Sequence, residues 1–136
     1  MPTERERRNV ELTKRWEKAW NEDPDRMVDE CYAPDCVVIN MFTGAEMRGR
    51  EELRVIERAI KAFDGTRHMV ITNMVASGDV VAVQADSIFG NYKGKGVAFL
   101  TYNADGLIVS DHTYGADPSG ASVPGSESFA GRKVPA

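Results

Sequence analysis

Two aspartates are set inside apolar, β-branched stretches: Asp86 between Val80 and Phe89, and Asp111 between Leu107 and Tyr114. A carboxylate among apolar groups is costly unless it is paired or hydrogen-bonded. Two such groups near one another push their pKa values apart, leaving one a base and the other an acid near neutral pH. Asn40 and Gln84 lie in similar stretches, and their amides can orient a water or a carbonyl oxygen. Together these side chains suit acid–base chemistry on a small molecule. The adjacent Asp111-His112 looks like part of a dyad, but neighbours on a strand point to opposite faces and cannot bond each other.

Other reactive residue types read as structural. Cys31 and Cys36 have four residues between them; with no export signal, two buried thiols are expected over a disulfide. A zinc site needs about four ligands, and only His68 and His112 could join the cysteines, so no metal is expected. His68 reads as a solvated or capping residue, and Tyr32 as a packed aromatic rather than a proton donor. Lys93-Gly94-Lys95-Gly96 reads as a hairpin tip, with nothing around it to make a phosphate loop.

The elements that must position these residues follow from periodicity. From about Val10, the residues Val10, Leu12, Trp16, Ala19 and Trp20 form an apolar stripe at helical spacing. Asp23 before Pro24 marks the cap of a short second helix carrying Met27, Val28, Cys31 and Tyr32 on one face. Residues 36–41 read as a strand, Gly44 to Gly49 as a turn, and Leu53, Ile56, Ile60 and Phe63 as one face of a third helix stopped by Asp64-Gly65. Two hairpins complete the pattern, one turning at Ser77-Gly78-Asp79 and one at Asn103-Ala104-Asp105-Gly106. Helices followed by a meander of long strands predict an α+β fold, helices on one side of a curved antiparallel sheet.

The chain has 136 residues and a net charge of −4, which fits one domain and gives no global field for nucleic acid or an anionic membrane. It carries no apolar run near the ~20 residues of a membrane span and no secretory apolar stretch, so a cytoplasmic location is expected. Residues 1–8, with alternating Glu and Arg, read as a flexible N-terminus; 9–117 read as the domain; 118–136, rich in Pro, Gly, Ser and Ala, read as a disordered or draped tail anchored at most by Phe129 and Val134.

Four segments carry a family resemblance: 16–21 closing the first helix, Tyr32-Ala33-Pro34-Asp35-Cys36 entering the first strand, 47–53 opening the third helix, and Asp105-Gly106-Leu107-Ile108-Val109 starting the last strand. Over residues 9–117 the sequence resembles the nuclear transport factor 2-like superfamily, within it the SnoaL-like branch. The resemblance implies a cone-shaped sheet wrapped by the helices (a cystatin-like α+β barrel), an apolar ligand pocket, no cofactor, and a homodimer through the outer sheet face. Relatives include steroid isomerases, epoxide hydrolases, polyketide cyclases, dehydratases and non-catalytic carriers, and fold alone does not choose among them.

Strand alternation leaves two sets in the 80–89 stretch, Val80/Ala82/Gln84/Asp86/Ile88 and the more uniformly apolar Val81/Val83/Ala85/Ser87/Phe89. The steroid-isomerase-like and epoxide-hydrolase-like patterns place the first set inward, together with Asp111 and Thr113 of the last strand and Val38 and Asn40 of the first. The implied catalytic set is Asp86, Asp111, Asn40 and Gln84, with Trp16, Val38, Ala98, Leu100, Tyr102 and Thr113 binding substrate. The opposite phase of the last strand would bring His112 and Tyr114 in and turn Asp111 out. The steroid-isomerase acids and tyrosine fall on Asn40, Ala98 and Trp16, so that activity is not expected; the epoxide-hydrolase relay loses its arginine to Gln84 and its second acid to Thr113. The function expected is acid–base catalysis on an apolar small molecule by a cyclase, isomerase, dehydratase or epoxide hydrolase, with a non-catalytic binding module as the alternative.

Overall fold

Thr3 accepts a hydrogen bond from the Glu6 amide while Glu6 accepts one from the Thr3 amide, and this capping box starts α1, Glu4–Glu22. The helix therefore begins ahead of Val10, and its first turns are tied down: Arg8 donates to the Asn103 and Ala104 carbonyls and Glu6 accepts from the Gly78 amide. The structure is a computed structural model that describes residues 1–63 and 67–121, with side chains left aside at 61–63. The turn expected at Asp64-Gly65, the face position of Phe63 and the tail anchors Phe129 and Val134 lie outside that description.

Asp23 caps α2, Pro24–Cys31, through the Arg26 amide, and Pro24 occupies the first turn as its fixed φ favours. Strand β1, Tyr32–Asn40, leaves directly from α2, four residues earlier than residue periodicity suggests, with a register shift between Tyr32 and Val37. The expected turn between Gly44 and Gly49 contains a short strand, β2, Glu46–Arg48. Then follow α3, Gly49–Phe63; β3, His68–Ser77; β4, Val80–Phe89; β5, Tyr92–Tyr102; and β6, Ile108–Ala116.

The six strands form one sheet in the order β2-β1-β6-β5-β4-β3. The fold is α+β as expected, with two differences. The sheet is open rather than a closed barrel, and it is not wholly antiparallel, because β1 and β6 pair in parallel. That pairing joins the N-terminal half of the chain to its last strand and sets Val38 beside Asp111 and Asn40 beside Thr113.

The turn joining β4 to β5 also lies elsewhere. Phe89 pairs with Tyr92, so the loop is the two-residue Gly90-Asn91, with Gly90 at φ 58° where a Cβ would be strained. Lys93 to Gly96 is strand, not a hairpin tip. Such a turn locks the register: Val81 faces Leu100, Val83 faces Ala98 and Ala85 faces Gly96. Directly opposed residues share a face, so Thr113, Ala98, Val83 and Met74 form one inward row across four strands. The helices cover this inner face, and Trp16, Trp20, Leu53, Ile56 and Ile60 bury their side chains against it.

Candidate functional site

Between α3 and the inner sheet face lies a cavity of about 530 Å³. One row of the sheet beneath it explains why it stays open. Ile71, Ala85, Gly96 and Gly115 are successive partners across β3 to β6, and three of the four are Gly or Ala. With almost no side-chain volume there, the floor cannot fill the space beneath the helix. A Cβ built on Gly96 would strike the carbonyl oxygen of Tyr114, so this position accepts no larger residue.

Asp111 stands in the cavity wall, 4% exposed. Its Oδ2 accepts from the Tyr32 hydroxyl at 2.8 Å and its Oδ1 from the Thr113 hydroxyl at 2.8 Å. Trp16 Nε1 in turn donates to the Tyr32 oxygen at 3.0 Å. Burial pushes the Asp111 carboxyl above its ordinary value, against the opposing pull of the two hydroxyl donors. Burial, then the neighbouring Asp111 charge, pushes the Tyr32 phenol well above its own. The result is a carboxyl held reluctant to ionise beside a phenol that keeps its proton.

Of the residues anticipated for the site, the cavity wall holds Asp111, Asn40, Thr113, Trp16, Val38 and Ala98. Asn40 is partly committed elsewhere, since its Oδ1 caps the following turn by accepting from the Phe42 and Thr43 amides. Asp86 and Gln84 are not in the wall. Both are exposed on the opposite face of β4, where Asp86 pairs with Lys95 at 3.1 Å. The β4 phase is therefore the reverse of the one the resemblance implied, while Asp111 and Thr113 on β6 face inward and Tyr114 packs outward against Phe42 and Phe99. Leu100 and Tyr102 share the inward face but lie in the core, not in the wall: Leu100 is fully buried and the Tyr102 hydroxyl meets Thr13 under α1 at 2.8 Å. His68 is exposed and Cys31 and Cys36 are free buried thiols.

Three polar groups of the site were not anticipated. Tyr32 is the donor to Asp111 rather than mere packing. Glu57 of α3 and Arg67, just before β3, are both in the wall, 9% and 8% exposed. They form a buried ion pair through Nη1 and Oε2. The Arg67 guanidinium lies 3.6 Å over the Trp20 ring, and its Nε donates to the Trp20 carbonyl. Glu57 falls four residues after Leu53 and three before Ile60, so helical spacing could have placed it on the apolar face. Arg67 had no such signal. Among the described residues, no group of three or more His, Cys, Asp or Glu could hold a metal ion, and no helix is long and apolar enough to cross a membrane.

The chain belongs to the SnoaL-like domain family, whose model matches residues 13–111. Solved structures agree in fold. A protein of Jannaschia sp. CCS1 assigned as a SnoaL-like polyketide cyclase superposes with a TM-score of 0.72 at 17% identity, over 85% of this chain and 90% of that one. A protein of ketosteroid isomerase-like fold from Catenulispora acidiphila gives 0.69 at 21% identity, over 85% and 95%. A nuclear transport factor 2-like protein of unknown function from Burkholderia xenovorans gives 0.72 at 16% identity, over 98% and 100%. No curated protein matches the sequence.

Proposed function

We propose that the protein is a cofactor-independent acid–base enzyme acting on an apolar small molecule in this cavity, with Asp111 exchanging a proton with the substrate. The observation that carries this reading is the burial of Asp111 in an otherwise largely apolar wall, with the Tyr32 and Thr113 hydroxyls on its two oxygens. Each carboxylate oxygen has two lone pairs, so one donor apiece leaves acceptor capacity. A carboxyl with a raised pKa is poised nearer neutral pH, where removal and return of a proton are both accessible. Isomerisation, dehydration and aldol closure each need a proton taken from carbon and one delivered elsewhere, which a single recycled carboxyl proton supplies. Tyr32 keeps its proton and acts as a fixed donor that orients the carboxyl. Epoxide hydrolysis is less well supported, because the relay positions at Gln84 and Asp86 are on the outer face.

One observation favours the alternative, a non-catalytic binding module: both Asp111 oxygens are already hydrogen-bonded, as a purely structural acid would be. The two readings separate on a bicyclic ketone with acidic α-hydrogens. Incubated with β-tetralone in D₂O, the protein is expected to catalyse saturable α-hydrogen exchange, read by proton NMR. Binding of the ketone with exchange no faster than in buffer would establish the binding module instead.

A further inference from the structure

Tyr92 opens β5 in phase with Gly94, Gly96 and Ala98, so its side chain rises on the inward face. Its ring meets Phe89 edge-on at 5.7 Å and lies across Gly94. A Cβ on Gly94 would fall 2.7 Å from the phenol oxygen, and one on Gly115 would fall 3.9 Å from it. These two glycines clear the path by which the hydroxyl reaches β6, and both Tyr92 and Gly115 line the cavity. Tyr92 is 8% exposed, and its hydroxyl has no hydrogen-bond partner among the described residues. Unlike Asn9 Nδ2 and Arg67 Nη2, which are sealed, that oxygen keeps accessible surface. Buried polar groups almost always find a partner, so an inward hydroxyl left unpaired in a cavity wall is an unfilled half of a hydrogen bond. We propose that the Tyr92 hydroxyl is a second polar subsite, at the far end of the cavity from Asp111, that donates a hydrogen bond to a neutral oxygen of the bound molecule.

Charge selects a neutral acceptor over a carboxylate. Burial, then the Asp117 charge, pushes the Tyr92 phenol above its ordinary value, so at neutral pH it keeps its proton and donates. Asp117 lines the same cavity, and its two oxygens accept from the Lys93 and Ser119 amides at 2.7 Å each. Those bonds hold its carboxyl below the usual range and keep it charged. A ligand carboxylate at Tyr92 would meet that like charge, whereas a keto, ester or ether oxygen takes the O–H without adding any. Spacing sets the length of ligand that can touch both polar groups. Gly115 stands four residues beyond Asp111 on β6, about 13 Å at the rise of an extended strand, and both line the cavity. A biaryl or three-ring skeleton suits that span better than a bicyclic one. The subsite deepens the acid–base reading and rests on it only for which end of the ligand reacts.

The test compares three biphenyls of similar shape by equilibrium dialysis: 4-acetylbiphenyl, 4-isopropylbiphenyl and biphenyl-4-carboxylate. Wild type is expected to bind the ketone about three- to tenfold more tightly than the hydrocarbon, as one neutral hydrogen bond allows, and the carboxylate no better than the ketone. Tyr92→Phe keeps the ring over Gly94 and removes only the hydroxyl, so the preference should vanish while hydrocarbon affinity stays. Gly94→Ala, whose methyl would displace the ring, carries the test if Tyr92→Phe does not fold; it too should lose the ketone preference. Asp111→Asn, at the other end of the cavity, should leave the preference intact. A ketone preference that survives Tyr92→Phe, tighter carboxylate binding, or no preference or no binding in wild type overturns the inference. A preference lost in Asp111→Asn and kept in Tyr92→Phe overturns the Tyr92 subsite and leaves the acid–base reading standing. A Tyr92-dependent preference without β-tetralone exchange does the reverse.

Discussion

Asp111 spends its charge in a place that disfavours charge, and the consequence is measurable. Unfolded, its carboxyl ionises near 3.8; folded, burial moves that ionisation upward. As pH rises between the two values, the unfolded chain releases a proton that the folded chain keeps, so stability falls across that window. Asp111→Asn should flatten this part of a stability–pH curve measured by urea unfolding. The same acid should set the acidic limb of any exchange activity above the ordinary carboxylate range. Tyr32 acts with the same sign at higher pH: its raised value keeps it neutral, and stability is lost as pH climbs beyond about 10, where an unfolded tyrosine ionises. Tyr32→Phe removes one donor from Asp111 and leaves the Trp16 N–H without its acceptor. It should cost about 1–3 kcal/mol in urea unfolding and move the acidic limb of exchange further up, a shift that packing loss alone would not give.

Elements decide which residues enter the cavity, and here the sequence was only partly legible. Helix caps at Asp23-Pro24 and turns at Gly78 and Gly106 can be read because each depends on local chemistry, a side-chain acceptor or a positive φ. The inward phase of β6 came from the resemblance, and Asp111 and Thr113 are where it puts them. The phase of β4 failed because a strand read alone has two equivalent faces. Its own composition favoured Val81, Val83 and Ala85, and the hairpin Gly90-Asn91 ties those positions to Ala98 and Gly96; the resemblance pulled the other way, toward Asp86 and Gln84. Arg67 was invisible because its place depends on contacts with Trp20 and Glu57, residues 47 and 10 positions away. The small-residue row can be tested at Gly96, where Gly96→Ala drives a methyl into the Tyr114 carbonyl. A loss of about 1–3 kcal/mol is expected by urea unfolding, as for an overpacked site.

At the scale of the molecule, the outer sheet face carries a cluster of exposed apolar side chains. Phe99, Tyr114, Ile88 and Val70 are each at least 40% exposed there, Phe42 is 67% exposed beside them, and Tyr114 makes edge contacts with Phe42 and Phe99 at 6.2 and 6.1 Å. Clustered exposed aromatics mark association surfaces. A second copy of the chain covering this face is our proposal for its partner: light scattering should give twice 15.0 kDa, and Phe99→Glu should give the monomer. A monomeric wild type would remove that assignment without touching the cavity.

The proposed function makes Asp111 and not Asp86 the proton-exchanging acid, although the two aspartates look alike in the sequence and lie on opposite faces of one sheet. The most direct measurement is the rate of β-tetralone exchange in Asp111→Asn and Asp86→Asn side by side with wild type. Asp86→Asn, altering an exposed ion pair, should stay within about twofold of wild type, whereas Asp111→Asn should lose about 10²–10⁴-fold. Equal rates in Asp111→Asn and wild type, or a collapse in Asp86→Asn with its fold intact, would contradict the assignment of Asp111.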